Sequence, residues 1–117
     1  MAERRWRDYR TAAGARPVRD FLVGLSDADA AAVIAAMVAV RLQGLRAARH
    51  LTGDIYEVRA DGNHQTFRIL FANEGRAGHI LLSLEGFSKK TQKTPPDKIR
   101  LAERRLSDWR RRGRRGS

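Results

Sequence analysis

Between residues 57 and 93 the chain carries side chains suited to acting on a phosphodiester: Glu57 and Arg59 two positions apart, then Arg68, then the run Lys89-Lys90-Thr91-Gln92-Lys93. Cleaving RNA without a metal takes a base for the 2′-hydroxyl proton, cations for the charge growing on phosphorus, and an acid for the leaving 5′-oxygen. Carboxylate, guanidinium and ammonium together supply candidates for all three. Lysine occurs only at positions 89, 90, 93 and 98, while every other basic residue is arginine. An ammonium can be tuned to release its proton, whereas a guanidinium stays charged and grips phosphate with a planar fork. Concentrating lysine in one segment therefore points to a site, although a short exposed loop also attracts lysine without any function.

The roles within this set are not all equal. Arg59 and Arg68 near Glu57 lower a carboxyl pKa, which works against Glu57 as a base. His64 is the rival, because its ordinary pKa suits proton transfer, yet a histidine beside the turn Asp61-Gly62-Asn63 is more often simply exposed. Phe87 offers either a ring for base stacking, at ~1 to 3 kcal/mol per base, or a buried anchor at a strand end. Gln92 adds a polar RNA contact from within the lysine loop. The plainer alternative for Glu57, Arg59 and Arg68 is a row of cross-strand ion pairs on a solvated sheet face. His50, His64 and His79 show no ligand spacing and no glycine-rich phosphate loop occurs, so neither a metal nor a cofactor is expected.

Positioning these groups falls to an α+β domain with a small, mainly antiparallel sheet. Trp6 and Tyr9 mark a short edge strand. Pro17 opens a helix with Val18, Phe21, Leu22 and Leu25 at helical spacing, and Ser26 with Asp29 caps a second, alanine-rich helix to about Leu42. Its expected stripe is Val33, Ile34, Met37, Val38 and Val40. The period then changes to two: residues 55–60, 65–72 and 80–84 form a three-stranded meander. Alternation puts Tyr56, Val58, Phe67, Ile69, Phe71, Ile80, Leu82 and Leu84 toward the helices, and Glu57, Arg59, Arg68, Ser83, Glu85 and Phe87 on an open polar face. Thr94-Pro95-Pro96-Asp97 reads as the cap and first turn of a last helix with stripe Ile99, Ala102, Leu106 and Trp109. All helices are expected on one face of the sheet.

The 117 residues fit one domain, placed at 1–109, with a disordered arginine-rich tail at 110–117 in which Arg110, Arg111 and Arg112 are candidate RNA contacts. Net charge is +11 and the sequence pI near 11.4. Such a balance favours a polyanionic partner and salt-dependent binding. The absence of cysteine excludes disulfides and thiolate metal sites. No apolar run of about 20 residues and no leader-like start are apparent, so a cytoplasmic protein without membrane attachment is expected.

The run Leu51-Thr52-Gly53-Asp54-Ile55-Tyr56-Glu57-Val58-Arg59, then Phe67-Arg68-Ile69-Leu70-Phe71, Leu82 to Phe87 and Lys89-Lys90-Thr91-Gln92-Lys93-Thr94-Pro95 resembles the RelE/ParE toxin superfamily, in its phage-derived HigB-like branch. The likeness extends from about Tyr9 to Leu106. It implies a type II toxin that cleaves mRNA on the ribosome without a metal, leaving a 2′,3′-cyclic phosphate. It also implies a helix-turn-helix antitoxin as partner, ribosomal RNA as a docking surface, and operator DNA bound only through the antitoxin complex. By the same likeness Arg59 and Arg68 hold the scissile phosphate, Lys89, Lys90 and Lys93 form the basic loop, and Glu57 is the strand acid. Which group is base and which is acid stays open, and the histidine-tyrosine pair of some ribosome-dependent relatives is missing. Two other functions stay open: a gyrase inhibitor of the ParE type, which the same resemblance implies as an alternative, or a non-catalytic basic protein that binds nucleic acid, which the charge alone allows.

Overall fold

The structure, a computed structural model, describes residues 3–89 and 93–115, and the side chains of all of these but 89, 114 and 115. Strand β1 (Arg5–Asp8) leads into helices α1 (Pro17–Val23) and α2 (Asp27–Gln43). Strands β2 (Arg49–Thr52), β3 (Ile55–Asp61), β4 (Thr66–Glu74) and β5 (Ile80–Lys89) follow, and α3 (Pro96–Arg115) ends the chain. The five strands form one sheet in the order β1-β5-β4-β3-β2. Only the β1–β5 pair is parallel, which the two intervening helices make possible by carrying the chain across. The class and element order match expectation, with β2 as an added edge strand too short to register as a periodic run.

Local chemistry explains the helices. Pro17 occupies the first turn of α1, where its missing N–H costs nothing. The Ser26 hydroxyl accepts the Asp29 amide at 3.2 Å, fixing the start of α2. One face of α2 buries Val33, Met37 and Val40, whereas Ile34 is half exposed and Val38 only partly covered. The expected five-residue stripe is thus narrower, because one sheet presses on one side of the helix and alanine on the other side needs no cover. With its following 3₁₀ turn this segment, Asp27–Ala47, does reach membrane-spanning length and apolarity, against expectation. Alanine supplies the hydropathy, and the segment packs its inner face on β3.

The helices do not share a face. Val58, Ala60, Phe67, Ile69, Phe71 and Leu81 pack against α1 and α2. Ile55, Leu70, Ala72, Leu82, Leu84 and Phe87 pack on the opposite side with Ala102 and Leu106 of α3. The cause is a β-bulge. Leu70 faces Glu85 but Phe71 faces Ser83, so Leu84 is an extra residue and strand parity flips there. Ile80, Leu82 and Leu84 consequently point away from α1 and α2, and Ser83 points toward the β1 side, donating to Asp8 at 2.7 Å. Beyond the bulge, Gly86 faces α1: a Cβ there would lie 2.5 Å from the Phe21 ring, so only glycine lets α1 settle.

The polar face is therefore not open along its length. Helix α3 runs antiparallel to β5 across it, from Lys98 over Phe87 to Arg110 on Glu74. The helix continues through Arg115, so the disordered segment expected from Arg110 onward is helical at least that far. Polar contacts to other elements hold it: Arg110 pairs with Glu74 and Asp54, and Arg112 donates to the Arg10 carbonyl.

Candidate functional site

At the corner of the sheet where α3 begins, β2, β3, β4 and β5 present one row of side chains on the α3 side. Register fixes their order: Arg49 opposite Glu57, then Arg59 opposite Arg68, and Arg68 opposite Phe87. Directly opposed residues in an antiparallel pair have Cβ atoms about 4.5–5.5 Å apart. Two guanidinium side chains are thus rooted side by side, with a third, Arg49, diagonal to them.

Glu57 is only 1% exposed, and both its carboxylate oxygens are engaged. Arg59 Nε donates to Oε1 at 2.6 Å, and the Thr94 hydroxyl donates to Oε2. Arg68 is also 1% exposed. Burial, and then the facing Arg59 charge, push its pKa below the ordinary arginine value, while Glu57 pulls the other way and Arg49 adds to the lowering. A guanidinium still stays protonated, so the corner holds a buried, crowded positive charge.

The predicted residues divide in the structure. Glu57, Arg59 and Arg68 come together, and Lys93, exposed, immediately precedes Thr94, which touches Glu57. Lys89 ends β5, with its backbone paired to Thr66. Lys90 and Gln92 lie outside the described residues. Phe87 is 7% exposed, with the Lys98 ammonium 5.4 Å from its ring centroid, and so takes the strand-end anchor role rather than offering a free stacking face. His64 is exposed at the β3–β4 tip, two register pairs beyond Arg59 and Arg68. Arg110, Arg111 and Arg112 lie at the other end of α3, ~18 Å along the axis from Lys98.

Three residues that sequence reasoning passed over belong to this corner. Arg49 went unnoticed because its strand is four residues long. Thr94 was expected to cap α3, yet the Lys98 and Ile99 amides turn to the Pro95 carbonyl and the Thr94 hydroxyl goes to Glu57. Lys98 pairs with Glu85 at 2.8 Å, and Arg105 reaches the same carboxylate at 3.3 Å, which neutralises Glu85. Only the clustering of a lysine and an acid on adjoining elements could have hinted at that pair.

Among the described residues no three His, Asp or Glu side chains gather in a metal-holding arrangement. What the corner can do is bind an anion against the sheet with guanidinium forks, with the Lys93 ammonium on the adjoining segment.

The sequence that builds this corner has relatives among known proteins. The family described as phage derived protein Gp49-like (DUF891) matches residues 20–107. The protein named "Probable endoribonuclease HigB1" of Mycobacterium tuberculosis, in strains CDC 1551 / Oshkosh and H37Rv, is 34% identical over 109 residues, covering 91% of this chain and 85% of that protein. The matched span takes in β3, β4, β5 and most of α3, hence the whole corner. The chain belongs to the phage-derived Gp49-like family, on its HigB-like branch.

Proposed function

We propose that the chain is the toxin of a type II toxin–antitoxin system, an endoribonuclease that cuts mRNA on the ribosome without a metal and is silenced by a helix-turn-helix antitoxin. The observation that carries this reading is the direct pairing of Arg59 with Arg68 across β3 and β4, on a face whose facing carboxylate, Glu57, is already engaged at both oxygens. Like charges directly opposite each other destabilise a sheet, so a fold that keeps them gains elsewhere. A phosphodiester bound by the Arg59 fork, next to the buried Arg68 charge, offsets that repulsion with charge-assisted hydrogen bonds. The similarity to a protein named as a probable endoribonuclease supports RNA cleavage as the reaction.

In this reading Arg59, whose side chain is 26% exposed, contacts the scissile phosphate, and Arg68, buried beside it, adds positive charge that stabilises the charge growing on the phosphate oxygens. Lys89, Lys90 and Lys93 add positive charge beside the leaving 5′-oxygen, and one of them serves as proton donor. A base takes the 2′-hydroxyl proton, the 2′-oxygen attacks phosphorus, the P–O5′ bond breaks as the lysine proton passes to O5′, and a 2′,3′-cyclic phosphate and a 5′-hydroxyl remain. Exposed arginines on the outer face of α3, Arg100, Arg104 and Arg111, extend the basic surface available to ribosomal RNA. Action on ribosomes places the protein in the cytoplasm.

The test is direct. Purified protein added to mRNA-programmed ribosomes in EDTA should generate new RNA ends bearing 2′,3′-cyclic phosphates, and should leave gyrase supercoiling unaffected. Intact mRNA together with blocked supercoiling would replace this reading with the ParE type.

A further inference from the structure

Glu57 is the acid that a metal-free ribonuclease would be expected to use as its base, yet its surroundings suit a different task. A general base must bring an oxygen lone pair within ~2.6–3.2 Å of the proton it takes. The Glu57 side chain has no accessible surface, one oxygen is filled by Arg59 Nε at 2.6 Å and the other by the Thr94 hydroxyl. Reaching a 2′-hydroxyl would require breaking one of these bonds and unburying the carboxylate.

The partner is as informative as the acid. Thr94 is itself buried, stands 37 residues from Glu57 in sequence, and leaves the start of α3 to the Pro95 carbonyl. Its hydroxyl is therefore committed to joining the segment that carries Lys93 to the strand that carries Arg59. Consecutive Cα atoms lie ~3.8 Å apart, so fixing Thr94 fixes the root of Lys93. One carboxylate thus sets the aim of a guanidinium on one side and the placement of a lysine-bearing segment on the other.

We infer that Glu57 and Thr94 are positioning residues: the Thr94 hydroxyl, through the Glu57 carboxylate, locks Arg59 and Lys93 into one phosphate-gripping arrangement, and the base that takes the 2′-proton is another group. This rests on the endoribonuclease reading above. A misplacement of about 1 Å in such an arrangement costs on the order of 100-fold in rate.

The experiment measures kcat, KM and the pH–rate profile for RNA cleavage by native protein, Thr94→Val, Thr94→Ser and Glu57→Gln. It also measures binding to the same RNA made uncleavable with 2′-O-methyl groups. Thr94→Val should lose roughly 10- to 100-fold in kcat/KM and bind the uncleavable RNA more weakly, and Thr94→Ser should recover to within roughly threefold of native in both. Glu57→Gln, which keeps the geometry and removes the charge, should retain the acid limb of the profile. If Glu57→Gln flattens that limb, Glu57 is the base and the inference is wrong. Native-like cleavage by Thr94→Val overturns it equally. Should the native protein cleave no RNA, the endoribonuclease reading falls by itself, and binding decides the positioning role: weaker for Thr94→Val with recovery in Thr94→Ser supports it, equal affinity for all overturns it. Thr94→Ser keeps the comparison valid if Thr94→Val does not fold.

Discussion

The two ends of α3 use arginine in opposite ways. At the far end Arg110 meets two carboxylates: Nη2 lies 2.7 Å from Glu74 and 3.0 Å from Asp54, and Nε donates to Glu74 at 2.9 Å. Hydrogen bonding to Glu74 outweighs burial and raises the Arg110 pKa above its ordinary value. At the near end Arg49, Arg59 and Arg68 crowd around the single carboxylate of Glu57, and the Arg68 pKa falls. Acid in excess of base marks a residue that fastens the fold, whereas base in excess of acid, held on rigid strands, marks a place for an anion from outside. The same side chain is structural in one setting and functional in the other.

The contrast can be broken most sharply at Arg68. Arg68→Met keeps the volume and removes the buried charge, so cleavage should fall by roughly 100- to 1000-fold while the melting temperature holds or rises, since apolar replacement of buried charge is often neutral or stabilising by about 1–4 kcal/mol. Thermal melts and cleavage assays on one preparation check both halves. A large loss of stability would show that Arg68 fastens the fold after all.

The reverse signature belongs to Glu74→Gln. Arg110 is 37% exposed, so solvent screening limits the loss to about 1 kcal/mol, seen as a drop of a few degrees in melting temperature. Cleavage should be unchanged. A finer separation comes from salt: Arg49→Gln should lower the slope of log affinity for RNA against log salt concentration by about 1, and Arg112→Gln, tied to Asp108, should leave it alone.

The smallest effect is at Tyr9, whose hydroxyl donates to Asp108 at 2.7 Å. That hydrogen bond, the foremost cause, holds the Asp108 carboxyl below its ordinary 3.8. Its stabilising contribution is therefore present above pH 4 and is lost as pH falls through the lowered value. The Tyr9 pKa is raised, by burial first and then by Asp108, so the neutral phenol persists until pH rises past 10. Tyr9→Phe should thus melt slightly below native protein across neutral pH, with the gap closing as pH falls through the lowered Asp108 value.

Much of this was legible in the residues. The period change from α2 to β3, the cap at Ser26 and the grouping of Glu57, Arg59 and Arg68 all follow from local rules that hold once the chain folds. What stayed hidden depends on contacts between distant elements. The bulge at Leu84 reverses parity without leaving a mark on composition, so Leu82 and Leu84 were assigned to the wrong face and α3 to the wrong side. Thr94 satisfies every rule for a helix cap, and only the approach of β3 redirects its hydroxyl. Arg110, Arg111 and Arg112 look disordered by composition, but Glu74, Asp54 and Asp108 pair with them in the fold.

The central claim is that Arg59, backed by the buried charge of Arg68, stabilises the phosphate that is cut. Mapping RNA 5′ ends across the transcriptome after brief induction of native protein or the folded Arg68→Gln variant tests it most directly. Native protein should create many new 5′-hydroxyl ends in translated mRNA, and Arg68→Gln almost none. The same ends appearing with Arg68→Gln, or no new ends with native protein, would contradict it.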